Sequence, residues 1–215
     1  MSVHPLLGTI EELRAFAVIR TETAGQALAA GEACLRGGIR LLEITLTVPG
    51  ALDLIGRLAR EDGTIVGAGS VVEPAQARAA AEAGARFIVS PHFDPDVLAE
   101  TKARGLLSSM GGVTATEAMT CHRAGVDVTK IFPASAFGPG YLKALREPLP
   151  FLRLMPTGGV DESNLKAWLD AGAFAVGLGG SLVDRKGAAA GDWRTVEERA
   201  RRIVAGVAEW RAGRS

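Results

Sequence analysis

Two ionisable side chains stand in settings that are unfavourable for charge and useful for chemistry. Lys130 sits in Val126-Asp127-Val128-Thr129-Lys130-Ile131-Phe132-Pro133. With the period of two of a strand, Val126, Val128 and Lys130 share one face. A lysine on an apolar inner face is costly to charge, and burial favours the neutral, nucleophilic amine. Glu43 sits in Leu41-Leu42-Glu43-Ile44-Thr45, sharing its face with Leu41 and Thr45. A carboxylate there either pairs with a cation or carries protons. A rim lysine reaching solvent, and a structural ion pair of Glu43 with Arg20 or Lys130, fit the same local patterns. Taken together, one interior lysine and one interior glutamate suit proton-coupled amine chemistry better than either alone.

Other polar residues gather where apolar runs end. Arg20 closes a run in which Phe16 and Val18 share its face, and it could clamp a carboxylate in bidentate fashion or remain a solvated rim charge. Two glycine pairs, Gly158-Gly159 after Thr157 and Gly179-Gly180 before Ser181, offer backbone amides to a phosphate. Tight turning alone would also use them. Pro91 and His92 end another run, and Ser135 could add a hydroxyl. With no HxxH or CxxC spacing, no metal ligand set is visible, and no metal or cofactor is expected.

The elements that position these residues announce themselves by a repeat: helix end, glycine, short apolar run. It reads Arg36-Gly37-Gly38-Ile39, Ala83-Gly84-Ala85, Ala124-Gly125-Val126 and Ala171-Gly172-Ala173, with weaker copies at Gly63 and Gly105. Glycine closes a helix in the left-handed conformation, and a strand covered by helices reads as an unbroken apolar run. Strands are therefore expected at 15–20, 41–45, 65–68, 87–90, 106–110, 126–131, 152–155 and 175–178. Eight strands alternating with helices favour a (β/α)8 barrel, as one domain over residues 1–215 with a short N-terminal helix at about 8–14. Function in such a barrel lies at the C-terminal strand ends, where Lys130, Glu43, Arg20 and the glycine pairs all fall. The strand starts carry little charge beyond Arg40, Arg86 and Asp127.

The 215 residues carry a formal net charge of +0 and are 47% hydrophobic. That balance argues against a nucleic-acid partner and for small molecules. No apolar run approaches a membrane span, and the N-terminus lacks an export signal, so a cytoplasmic location is expected. The two cysteines, Cys34 and Cys121, form neither a disulfide framework nor a metal cluster.

Five strings carry a family resemblance: Leu42-Glu43-Ile44-Thr45-Leu46, Val66-Gly67-Ala68-Gly69-Ser70-Val71, Lys130-Ile131-Phe132-Pro133, Pro156-Thr157-Gly158-Gly159-Val160 and Gly179-Gly180-Ser181. In this order they resemble the 2-keto-3-deoxy-6-phosphogluconate aldolase family, and the run from Lys130 to Pro139 is similar to its 6-phosphogalactonate branch. The resemblance implies a metal-free, trimeric class I aldolase. Its partners would be a phosphorylated keto acid and pyruvate, with a Schiff base at Lys130 and proton transfer by Glu43. It places Arg20 and Ser70 on the carboxylate, Pro91 at the mouth, and Thr157, Gly158, Gly159, Gly179, Gly180 and Ser181 around the phosphate. Three departures from the family pattern stand out: Ser70 replaces a threonine, Thr47 stands where the gluconate enzymes carry arginine, and a family proline after the fifth strand is replaced in Ser109-Met110-Gly111-Gly112. Competing expectations are a 4-hydroxy-2-oxoglutarate aldolase and a phosphate-binding barrel isomerase or epimerase.

Overall fold

The computed structural model describes residues 4–214. Eight strands are all parallel: β1 (Ala15–Ile19), β2 (Leu41–Thr45), β3 (Ile65–Gly69), β4 (Phe87–Val89), β5 (Leu107–Gly111), β6 (Val128–Ile131), β7 (Leu154–Pro156) and β8 (Val176–Leu178). Helix α1 (Leu6–Leu13) precedes them, beginning two residues before the expected start. The connecting helices are α2 (Ala24–Arg36), α3 (Ala51–Leu58), α4 (Pro74–Glu82), α5 (Pro95–Ala103), α6 (Ala115–Ala124), α7 (Gly138–Arg146) and α8 (Leu165–Asp170). After β8 come α9 (Arg185–Ala190) and α10 (Trp193–Ala212). From β1 to β7 each strand pairs with its sequence neighbours, and β1 also pairs with β8. The ring closes between β7 and β8 through one bridge, Thr157 with Gly177, and a bond from Phe174 N to Leu154 O of 2.9 Å. This is the (β/α)8 barrel expected from the repeat.

Helix starts follow their caps. Pro74 and Pro95 occupy first turns, where a missing amide proton costs little. Asp94 accepts from the amides of Asp96 and Val97 at 2.9 and 2.8 Å. Strands β5, β6 and β7 begin one to two residues later than the apolar runs. The reason is local: the amides of Leu106, Val126 and Leu152 still bond back to Thr101, Cys121 and Leu149. These residues finish the preceding helix or turn before the strand starts.

Two hydrophobic layers result. Ala17, Ile19, Leu42, Ile44, Val66, Ala68 and Ile88 face the helices. The alternate residues Phe16, Leu41, Phe87, Leu107, Val128 and Met155 fill the inside, and Leu6, Leu7 and Ile10 of α1 plug the N-terminal end. Phe16 and Phe87 meet edge to face at 5.2 Å there. Gly67 makes the room, since a Cβ on it would run into the Phe87 ring. Among the described residues no helix is long and apolar enough to cross a membrane.

Candidate active site

One step further along the same inward faces, the side chains turn polar. β2 goes from Leu41 to Glu43 and Thr45, β5 from Leu107 to Ser109, β6 from Val128 to Lys130, and β7 leads from Met155 to Thr157. All five of these polar residues are buried. Lys130 is 6% exposed and Glu43 is 0% exposed.

Lys130 Nζ lies 3.5 Å from Glu43 Oε1. That contact does not reach hydrogen-bond geometry, and both Glu43 oxygens are buried without a donor. A buried carboxylate with free lone pairs is expensive to keep, and such cost is characteristic of working groups. Gly69 on the neighbouring strand leaves the space, because a Cβ there would overlap the Glu43 carboxylate. Lys130 Nζ also stands 5.3 Å from the centre of the Phe132 ring, within cation–π reach. Gly111, paired with Lys130 in register, lets the Pro91 carbonyl approach the strand closely.

Above this pair opens a cavity of about 340 Å3. Arg20, Ser70, Pro91, Lys130, Thr157, Gly158, Gly179 and Gly180 line it, so most of the residues read from the sequence do converge. Arg20 Nη2 donates to Ser70 Oγ at 3.0 Å. Ser70 is held at φ 60°, in the left-handed region, directly after β3. Gly158 and Gly159 follow each other at φ 84° and 78°, a pair of conformations that side chains resist. Gly159 packs on Ser135 and Ser181 Oγ donates to Val160 O at 2.6 Å, and neither lines the cavity directly. Thr47 turns its hydroxyl to Thr45 at 2.8 Å, and His92, exposed, contacts Ser90 Oγ at 3.3 Å.

The lining also includes Phe132, Asp184 and Arg185, which sequence reasoning did not select. Their signal was available: all three fall within five residues of a motif string. Asp184 is committed locally. It caps α9 through the Gly187 amide and meets Arg199 at 2.7 Å, and these bonds hold its carboxyl below the ordinary aspartate value. Among the described residues no group of three or more His, Cys, Asp or Glu could hold a metal ion.

A family model for KDPG and KHG aldolases matches residues 8–199. The chain belongs to this family. It is an aldolase, and so a carbon–carbon lyase. It is 37% identical to the 2-dehydro-3-deoxy-6-phosphogalactonate aldolase of Escherichia coli K12, over 80% of this chain and 85% of that one. Among solved structures, a native KDPGal structure superposes with a TM-score of 0.84 at 35% identity, covering 94% of this chain and 97% of the other. A KDPG aldolase from Legionella pneumophila, with pyruvate captured as a covalent carbinolamine intermediate, superposes at 0.83 with 29% identity, covering 92% and 97%.

Proposed function

We propose that this aldolase cleaves a 2-keto-3-deoxy-6-phospho sugar acid to pyruvate and glyceraldehyde 3-phosphate through a Schiff base on Lys130. The observation that carries the reading is the buried Lys130–Glu43 contact at 3.5 Å beneath the mouth cavity. The pyruvate carbinolamine in the Legionella relative supports amine chemistry in this family.

In the proposed sequence the Lys130 amine attacks the C2 ketone, and Glu43 relays protons as water leaves the carbinolamine. The iminium then accepts electrons. Glu43 takes the C4 hydroxyl proton, the C3–C4 bond breaks, and its electron pair becomes the enamine. Glyceraldehyde 3-phosphate departs. Protonation at C3 and addition of water release pyruvate and restore the amine. Arg20 and Ser70 hold the carboxylate. The backbone of Gly158, Gly159, Gly179, Gly180 and Ser181, with Thr157, takes the phosphate, and Pro91 shapes the wall. One domain over residues 1–215 carries this chemistry, acting as a cytoplasmic homotrimer, whose stoichiometry light scattering will measure.

Borohydride reduction with pyruvate is the test. Wild type is expected to gain a pyruvate-derived mass on the peptide containing Lys130. Trapping at wild-type yield in Lys130→Ala would overturn the assignment.

A further inference from the structure

The closed end of the barrel, remote from the mouth, holds a second cavity of about 460 Å3. Four arginines from separate parts of the chain line it: Arg14 at the end of α1, Arg146 at the end of α7, Arg153 ahead of β7, and Arg214 just past α10. Glu11 is the single acid in the lining, so its formal charge is 4 − 1 = +3. Like charges gathered in one concavity repel, and their field concentrates there.

What holds the guanidinium groups in place is mostly not carboxylate. Arg14 lies 5.8 Å from the Phe174 ring centre and 5.3 Å from that of Trp210. Arg153 stands 5.9 Å from the Phe174 ring centre, and Arg214 4.9 Å from that of Trp210. Arg146 donates to Pro150 O at 2.7 Å and rests against Gly172, where a Cβ would collide with it. Among the described residues neither Arg146 nor Arg153 meets a carboxylate. Arg14 does contact Glu11 at 3.4 Å and Arg214 contacts Asp170 at 3.3 Å, the acid exposed in both cases. Burial first, and then Arg211 and Arg214, hold the Arg14 guanidinium below its ordinary value against the pull of Glu11.

We infer that this cavity binds a compact polyanion, a small molecule carrying two or more phosphate or carboxylate groups. Guanidinium groups match such oxygens with paired N–H donors, and groups already stacked on rings lose little freedom on binding. The volume falls within the range of small-ligand sites. Nothing in the inference depends on the chemistry at Lys130.

Calorimetric titration of the full chain with inorganic pyrophosphate tests it. The mouth must be blocked first, and Gly180→Asp does so: a Cβ at Gly180 meets open space, and the added carboxylate repels anions from the glycine loops. Gly180→Asp is expected to keep one pyrophosphate site, weakening as salt rises. Adding Arg146→Ala and Arg153→Ala should reduce its affinity by about tenfold or more. On its own, the Arg146→Ala/Arg153→Ala variant should leave aldol cleavage at the wild-type rate. Unchanged affinity in the triple variant overturns the inference, as does complete loss of pyrophosphate binding in Gly180→Asp alone. Should the triple variant fail to fold, Arg153→Ala in the Gly180→Asp background serves, because Arg153 is exposed and, among the described residues, its side chain makes no hydrogen bond; unchanged affinity there is equally fatal.

Discussion

At the closed end of the barrel interior, Phe16, Leu41, Phe87, Leu107, Val128 and Met155 pack against Leu6, Leu7 and Ile10. Toward the mouth, two residues further along the same strands, stand Glu43, Ser109, Lys130 and Thr157. The backbone scaffold is common to both. The closed end satisfies the packing rule, filling space with rings and branched chains. The mouth breaks it, keeping a carboxylate with no donor and a serine hydroxyl, Ser109 Oγ, with no partner. Stability is concentrated where no chemistry occurs, and that surplus supports an expensive arrangement on the same strands.

If this division is real, variants at the two ends will fail in different ways. The largest effect is expected from Lys130→Ala, with the cleavage rate falling by roughly 10⁴-fold or more, measured by coupled pyruvate release. That change also leaves Glu43 buried without a counter-charge and should lower the melting temperature. A Lys130→Met/Glu43→Leu double variant sharpens the point. It should be equally inactive yet melt at or above wild type, because replacing a buried ion pair by apolar groups is often neutral or stabilising by about 1–4 kcal/mol. A double variant that melts well below wild type would mean the pair is structural.

Glu43→Gln should cut kcat by about 10²–10⁴ with the fold intact by circular dichroism, as expected for loss of a proton carrier. At the other end, Phe87→Ala should cost about 3–5 kcal/mol in denaturant unfolding. Its residual folded fraction should retain near-wild-type specific activity. Comparable loss of activity per folded molecule would break the comparison.

The smallest effect concerns pH. Burial pushes the Cys34 thiol up to about 12 and the Cys121 thiol up to about 11, from 9.0. The folded-state values are raised, so the native chain favours the protonated thiols. Their contribution is fully present below about pH 9 and is lost as pH rises toward 11–12. The urea midpoint should therefore decline more between pH 8.5 and 10.5 in wild type than in Cys34→Ala. Parallel declines would remove the thiols from the account. Both cysteines should also resist alkylation at pH 8 until the chain unfolds.

The barrel was legible because glycine stands between helix and apolar run ahead of six of the eight strands, all but β1 and β7. The ionisable pair was legible because strand periodicity puts Lys130 with Val128 and Glu43 with Leu41. Strand starts were misplaced wherever the first apolar residue still served the preceding helix or turn, as Leu106, Val126 and Leu152 do. Apolar character alone does not tell which backbone partner an amide takes. Three further features depend on approach across strands or between distant segments. Gly69 gives way to Glu43, Gly111 gives way to Pro91, and Arg185 lies in the mouth wall. The strand starts also looked nearly free of charge beyond Arg40, Arg86 and Asp127. Yet Arg14 and Arg153 stand just ahead of β1 and β7, and only folding brings them beside Arg146 and Arg214.

The seam between β7 and β8 has a consequence of its own. Thr157 and Gly177 form its one bridge, and they stand next to Gly158 and just before Gly179-Gly180. A Cβ on Gly177 would strike the Thr157 side chain, so the two backbones meet there only because one residue is bare. On the proposed reading, a phosphate gripped by both loops would clasp the ring at its thinnest join. Occupancy would then stiffen the hoop as well as hold the substrate.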